Sequence, residues 1–524
     1  MRRWLPYAVA AAAALAALGW AYYASLPPDG LKNAQAVDRA PHLKPDYAGV
    51  TLPPNIAPLN FIVDEPGEEY FARWTGTAGA VLEVRSRSPS ILIPAAAWRR
   101  FLAANRGDAT VDLYVKARDG GWRRFQAFTQ TIADAPIDGH LVYRLLGPIH
   151  NKFWNIAIYQ RNLEGFRETP VADNGSFDHA CINCHTFCKG DPSRMILHVR
   201  GPHGPAMILA RDGQAVKVDT RTAFNPSPAG YASWHPSGRL LAFSVNALRQ
   251  LFHTTGEIRD VFDAQSDLAV YQVDSNTVTT APAISKPDRN ETWPAWSADG
   301  RYLYFCAAPN LPLDRFREVK YDLMRVRYDL ETDRWDEAET VLAAKDTRLS
   351  ILEPRPSPDG RWLLFCMCEY GNFPIYQRSC DLHLMDLATG RHRRLACNST
   401  RCDSYHSWSS NSRWIVFSSK RDNDLLARPY FAYVDDSGEA RKPFVLPQED
   451  PAFYDSFLKT YNAPELATAP VPVTPRQFAR IIREPGPQEE LKAALDPQVP
   501  VPTARAPTMP AELPWTPGRQ QPHE

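Results

Sequence analysis

One turn recurs four times along this chain, and that recurrence limits the possible folds more than any other feature. Ser233-Trp234-His235-Pro236-Ser237-Gly238-Arg239 returns as Ala295-Trp296-Ser297-Ala298-Asp299-Gly300-Arg301, then as Arg355-Pro356-Ser357-Pro358-Asp359-Gly360-Arg361 and as Ser407-Trp408-Ser409-Ser410-Asn411-Ser412-Arg413. Each copy leads into an apolar run that reaches Phe243, Phe305, Phe365 or Phe417, and then into a second strand and turn, as in residues 381–387 before Thr389-Gly390. Pro presets φ, Asp or Asn closes a side-chain turn, and Gly supplies the positive φ that many hairpin connections need. Strand, polar turn and strand at intervals of about fifty to sixty residues describe the blades of a β-propeller with insertions. The propeller is expected over residues 191–450 with five or six blades, residues 195–218 supplying one more blade or part of one. The Trp at the head of the motif is expected to pack between blades, and His235 is expected to be a variant of the turn.

A second string carries chemistry. Cys181-Ile182-Asn183-Cys184-His185 is a C-x-x-C-H sequence, the attachment signature of c-type haem. Two thiols form thioethers with the porphyrin, and the adjoining His becomes an axial iron ligand. With 9 Cys and 13 His in 524 residues, chance would yield such a string only about 0.004 times per chain. The expected cofactor is one covalently attached haem c, on Cys181 and Cys184, with His185 on the iron. The competing use of the same residues is a zinc knuckle of Cys181, Cys184, His185 and Cys188, in which adjacent Cys184 and His185 make a poor tetrahedral pair. For the second axial position, Met195 and His198 lie within reach in the run Met195-Ile196-Leu197-His198-Val199. Strand alternation puts Met195 with the core and His198 on the other, partly exposed face. His203, Met207, His253 and His406 stay in the field, as does an open iron position. No G-x-S-x-G, H-E-x-x-H or P-loop string is present.

The ends of the chain and its charge place these features. Arg2 and Arg3 precede an uncharged run from residue 5 to 24, long enough to cross a bilayer as a helix, with Trp20, Tyr22 and Tyr23 at its far end. An uncleaved membrane anchor is the preferred reading and a cleaved signal peptide the alternative; both export the body of the protein. The formal net charge is zero, which gives no electrostatic case for nucleic acid. Residues 25–57 are rich in Pro and polar residues and read as a linker, followed at 58–148 by a small β-sandwich-like domain with one helical insertion at 95–104. Its expected strands are 80–84, 90–93, 111–115 and 122–131. Residues 149–190 form a connector that carries the haem string, 451–496 a C-terminal extension, and 497–524 a disordered Pro-rich tail. Cys397 with Cys402 and Cys368 with Cys380 are candidate disulfides in an oxidising compartment, whereas Cys306 and Cys366 read as buried thiols.

The W-S-x-D-G-R type motifs, the C-x-x-C-H string, and the segments Tyr370-Gly371-Asn372-Phe373-Pro374-Ile375 and Ser404-Tyr405-His406-Ser407-Trp408 resemble exported bacterial TolB-like (WD40-like) β-propeller proteins that carry a single haem-binding site. That resemblance spans roughly residues 55–465. It implies a mainly β fold, haem, and a body in the periplasm held to the inner membrane by one N-terminal transmembrane helix. It supplies no substrate. The expected function is one-electron transfer to a periplasmic or membrane redox partner, with the propeller as docking platform. The alternatives are a haem-dependent, peroxidase-like redox enzyme and a propeller that binds glycan, peptide or protein with haem in a structural or sensory role.

Overall fold

The computed structural model describes residues 28–147, 155–225, 229–251 and 260–499. The expected anchor at 5–24 and most of the expected tail, from 500 onward, lie outside the described residues, whereas Val499 of that tail is buried among Trp234 and Phe243; among the described residues no helix is long and apolar enough to cross a membrane. The fold is mainly β and divides into two units.

In the larger unit, residues 138–162, 168–440 and 458–499, the repeated turn forms as its residues require. Ser297 Oγ donates to Asp299 at 2.6 Å, Asp299 accepts from the Arg301 amide at 3.0 Å, and the Tyr302 amide donates back to Ser297 Oγ at 3.0 Å. The same three bonds recur at Ser357, Asp359, Arg361 and Trp362, and at Ser409, Asn411, Arg413 and Trp414. Gly300 closes its copy at φ 75°, a conformation that an L side chain rarely adopts.

These turns join the first two strands of successive antiparallel sheets, which are the blades of a propeller. Blade two runs Cys181–Cys188, Asp191–Arg200, Ala206–Arg211, Gln214–Asp219; blade three runs Ala232–Trp234, Leu240–Leu251, Asp260–Gln272, Thr277–Thr279. Blade four begins at Arg289–Trp296 and Tyr302–Pro309, blade five at Ser350–Pro356 and Trp362–Cys368, and blade six at Asp403–Trp408 and Trp414–Ser419. Blade one is composite. Its outer strands are His140–Leu146, Ala157–Asn162 and Glu168–Asp173, but its innermost strand is Thr460–Ala467, antiparallel to His140–Leu146. The six inner strands neighbour one another in a closed ring, Thr460–Ala467 lying between those of blades two and six. Apolar layers fill the spaces between blades: Ile182, Met195, Leu197 and Ile158 between blades one and two, and Ile196, Met207, Trp234 and Phe243 between two and three. Full burial of one such side chain contributes about 1.5–3 kcal/mol. Trp234 and Trp296 occupy these layers, the packing role expected for the motif.

The expected boundaries need correction. The propeller begins at residue 140 and closes at 467, so the segment 149–190 is no connector: it holds two outer strands of blade one and the inner strand of blade two. Its short strands lack the repeat's Trp and Gly, which hid them. From residue 458 the C-terminal extension is integral to the unit. Besides the closing strand, it carries helix Pro475–Arg483, capped by Thr474 and Gln477 and burying Phe478, Ile481 and Ile482. Strands Glu490–Lys492 and Ala494–Leu495 then extend blades two and three in parallel pairing.

The smaller unit comprises residues 28–137, 163–167 and 441–457. A seven-stranded mixed sheet and a three-stranded sheet meet where Phe61 packs on Trp74, with ring centroids 6.2 Å apart, and Trp98 of helix Ala95–Ala104 abuts Trp74. The helix has the expected bounds. The expected strand at 122–131 is two strands, Trp122–Arg124 and Phe128–Ile132. Residues 35–57 are not a linker: Gln35–Ala36 and Thr51–Leu52 pair in parallel with those two strands, and Tyr47, Val50 and Ile56 are buried. Apolar residues spaced between the prolines outweigh the polar composition there.

The thiols at 368, 380, 397 and 402 are free and buried, not joined in pairs. Cys368 donates to the Tyr370 carbonyl, Cys380 to that of Asp403 and Cys402 to that of Pro374, at 3.4, 3.3 and 3.3 Å. Cys306 and Cys366 are buried thiols as well.

Candidate functional site

Strand Cys181–Cys188 runs antiparallel to Asp191–Arg200, with Cys181 opposite Arg200, Ile182 opposite Val199 and Asn183 opposite His198. The ladder then skips to Thr186 opposite Ile196, so Cys184 and His185 together face one residue, Leu197. This is a β-bulge, a device that bends a strand and re-aims its side chains. The same two-against-one bulge occurs in four other inner strands, at Trp293-Pro294, Glu353-Pro354, Tyr405-His406 and Ala463-Pro464. In these four the first residue has positive φ, between 46° and 54°. Register therefore equates Cys184-His185-Thr186-Phe187 with Tyr405-His406-Ser407-Trp408. The C-x-x-C-H string is part of blade two's copy of the repeat.

His185 is 4% exposed, and neither ring nitrogen makes a hydrogen bond among the described residues. Burial, reinforced by the Arg144 guanidinium, drives its pKa down to about 3 against the small opposing pull of the Val142 carbonyl, so the imidazole is neutral. A neutral, buried imidazole with unused nitrogens is the form that ligates iron. The string is held at both ends. Arg144 donates to the Ile182 carbonyl at 3.2 Å, to the Asn183 side chain, and to Asn462 of the closing strand at 2.6 Å. Glu465, also on the closing strand, accepts from Thr186 Oγ1 and the Phe187 amide, each at 3.1 Å. Cys181 is half-buried and packs against the layer between blades one and two; the side chain of Cys184 lies outside what the structure describes. Of the described side chains, the Cys181 thiol and the neutral His185 imidazole are donors of the kind that haem c takes.

The other candidate ligands scatter. Met195 belongs to the layer between blades one and two. His198 is buried, not partly exposed as expected, because a neighbouring blade covers each face of an inner or second strand. His203 pairs with Asp178 at 2.6 Å, Met207 lies between blades two and three, and His253 lies outside the described residues. The zinc knuckle loses its geometry: Cys181 packs on one side of blade two and Cys188 on the other, against the His235 carbonyl.

Sequence reasoning passed over a set of buried acids near the same inner strands. Burial pushes Asp263 up to about 7, Glu291 to about 8 and Glu353 to about 7. Arg355 holds a charge near His185, Glu353, His406 and Glu465, which come from four blades. Tyr231 stacks on Trp293 with centroids 3.5 Å apart, and Tyr405 meets Trp293 edge-on at 5.9 Å. The bulges are thus where polar and aromatic groups of different blades converge. The signal for them is the residue pair that precedes each copy of the turn.

No family model matches the chain, and no curated protein matches it in sequence. Among solved structures it is similar to a nidogen/laminin complex chain, at 8% identity over 63% of this chain and 99% of that one, with a TM-score of 0.36. It is also similar to an auxiliary nutrient binding protein from Bacteroides thetaiotaomicron, at 11% identity over 71% and 93% with a TM-score of 0.30, and to the Dos1 propeller, at 11% over 44% and 64% with 0.27. Likenesses this remote carry no functional information; the propeller assignment stands on the strand pairing.

Proposed function

We propose that this protein is an exported, membrane-anchored monohaem protein of cytochrome c type, which carries one haem on Cys181 and Cys184 with His185 as an axial iron ligand. One-electron transfer to a periplasmic or membrane partner is its work, with the propeller as the docking scaffold. The observation that supports this best is the state of His185: buried, neutral, next to a cysteine, and with neither nitrogen in a hydrogen bond of good geometry among the described residues. Two strong axial ligands would favour outer-sphere transfer, and an open position would favour a peroxidase-like reaction.

A second reading has its own observation. His406 occupies the same bulge position in blade six with no C-x-x-C-H string around it, which supports a binding propeller whose bulges recognise a ligand and whose thiols at 181 and 184 are local variants. Expression of the full chain with haem-maturation machinery separates the two. Thioether-linked haem, seen as a Soret band that persists in denaturant and is lost in Cys181→Ala and Cys184→Ala, is the expected result. A chain that folds and never acquires covalent haem would overturn the first reading in favour of the second. On a haem-loaded chain, indifference to carbon monoxide identifies an electron carrier, and ready binding identifies an open enzyme or sensor site.

A further inference from the structure

A second cluster of ligating side chains lies away from the haem string. Glu353 stands in the bulge of blade five's inner strand, Cys366 on the adjoining strand Trp362–Cys368, and His406 in the bulge of blade six. All three are buried, and their ligand atoms lie within 4.8 Å of one another. Cys366 Sγ is 3.2 Å from Glu353 Oε2 and 3.5 Å from His406 Nδ1, and Nδ1 is 3.7 Å from the same carboxylate oxygen. A tetrahedral zinc with sulfur at about 2.3 Å and nitrogen or oxygen at about 2.0–2.1 Å has edges of about 3.3–3.6 Å. The three atoms are already spaced as corners of such a site.

From this geometry we infer that Glu353, Cys366 and His406 bind a divalent transition-metal ion, of which Zn²⁺ fits the donor set best. Thiolate, imidazole and carboxylate together suit zinc rather than magnesium or calcium, which take oxygen ligands. Among the described residues, hydrogen bonding within the cluster leaves Glu353 Oε1 and His406 Nε2 without a partner although both are buried, and such groups are costly to leave unmet. A carboxylate that ligates through both oxygens uses the first of these. The Tyr405 amide donates to Glu353 Oε2 at 2.7 Å and fixes the direction of the carboxylate, the kind of outer contact that orients a metal ligand. On binding, the metal–sulfur bond forms, the Cys366 thiol proton passes to buffer, and the thiolate and carboxylate neutralise the ion beside Arg355. Sulfur, nitrogen and one carboxylate oxygen leave a fourth position, which the second carboxylate oxygen, water or a small ligand would fill.

The test uses the full chain made without haem-maturation machinery, kept reduced and stripped by chelator, then titrated with Co²⁺ as a spectroscopic stand-in for zinc. One equivalent per chain is expected to raise a thiolate-to-cobalt charge-transfer band with intense visible bands of tetrahedral cobalt, and Zn²⁺ is expected to displace them. Cys366→Ser should abolish the charge-transfer band, Glu353→Gln and His406→Gln should weaken Co²⁺ binding by about tenfold or more, and Cys188→Ser in blade two should leave the spectrum intact. Circular dichroism establishes that each variant is folded; should Cys366→Ser fail to fold, the two near-isosteric variants decide. A folded wild-type chain with no charge-transfer band, a band that survives Cys366→Ser, or wild-type affinity in both Gln variants would each overturn the assignment. Because the chain is haem-free, failure here leaves the haem reading untouched.

Discussion

Glu291 sits buried in the inner strand of blade four, where loss of water first, and the charge of Asp267 second, push its carboxyl up to about 8. An unfolded chain would release that proton near pH ~4.3. Between those values the folded state holds more protons than the unfolded one, so unfolding free energy falls as pH rises. The penalty is absent below the unfolded pKa and complete once pH passes the folded one. Glu291→Gln is therefore expected to gain stability relative to the wild type on going from about pH 5 to pH 8, read from urea unfolding at both values; a difference that stays constant over that range would refute the assignment. Nothing in the sequence marks this acid, because burial of a Glu follows from which blade covers it. His185 is the contrary case. The expectation of haem there came from its two cysteines alone, while its burial and its unused nitrogens needed the neighbouring strands.

At the scale of single elements, the repeat was visible wherever Trp, Pro, Asp and Gly coincide, and there the expected strands formed. The inner strand of blade two, ahead of the expected 195–218, was missed because Cys184-His185-Thr186-Phe187-Cys188 replaces the aromatic, the proline and the serine of other copies, leaving only the spacing. The turn also links blades. A Cβ on Gly300 would lie 2.3 Å from His235 Nε2, and that ring nitrogen is 3.1 Å from the Gly300 carbonyl. With φ at 75° as well, Gly300→Ala is expected to cost about 1–3 kcal/mol. Urea denaturation measures this, and a loss below about 0.5 kcal/mol would show that the contact between the two turns yields freely.

For the whole molecule, the least legible fact was that residues 458–499 belong to the propeller unit. Their Pro-rich composition suggests loose chain, yet the closing strand is determined by a partner more than three hundred residues earlier in the chain, and the capped helix by strands Glu168–Asp173 and Gln214–Asp219. Phe478 is fully buried against the layer between blades one and two. Phe478→Ala is accordingly expected to destabilise by about 3–5 kcal/mol, as for a large core aromatic, with a lowered thermal midpoint. An unchanged midpoint would mean that this helix is peripheral after all.

The composite first blade also sets an order of events during biogenesis. Strand Thr460–Ala467 leaves the ribosome more than three hundred residues after His140–Leu146, its partner. Until it arrives, the inner edge of that blade is bare, and Asn462 and Glu465 have not yet gripped the segment around Cys181–Cys188. An enzyme of the kind proposed to modify those cysteines would find them least enclosed on that unlatched arc of blades, before the final strand pairs.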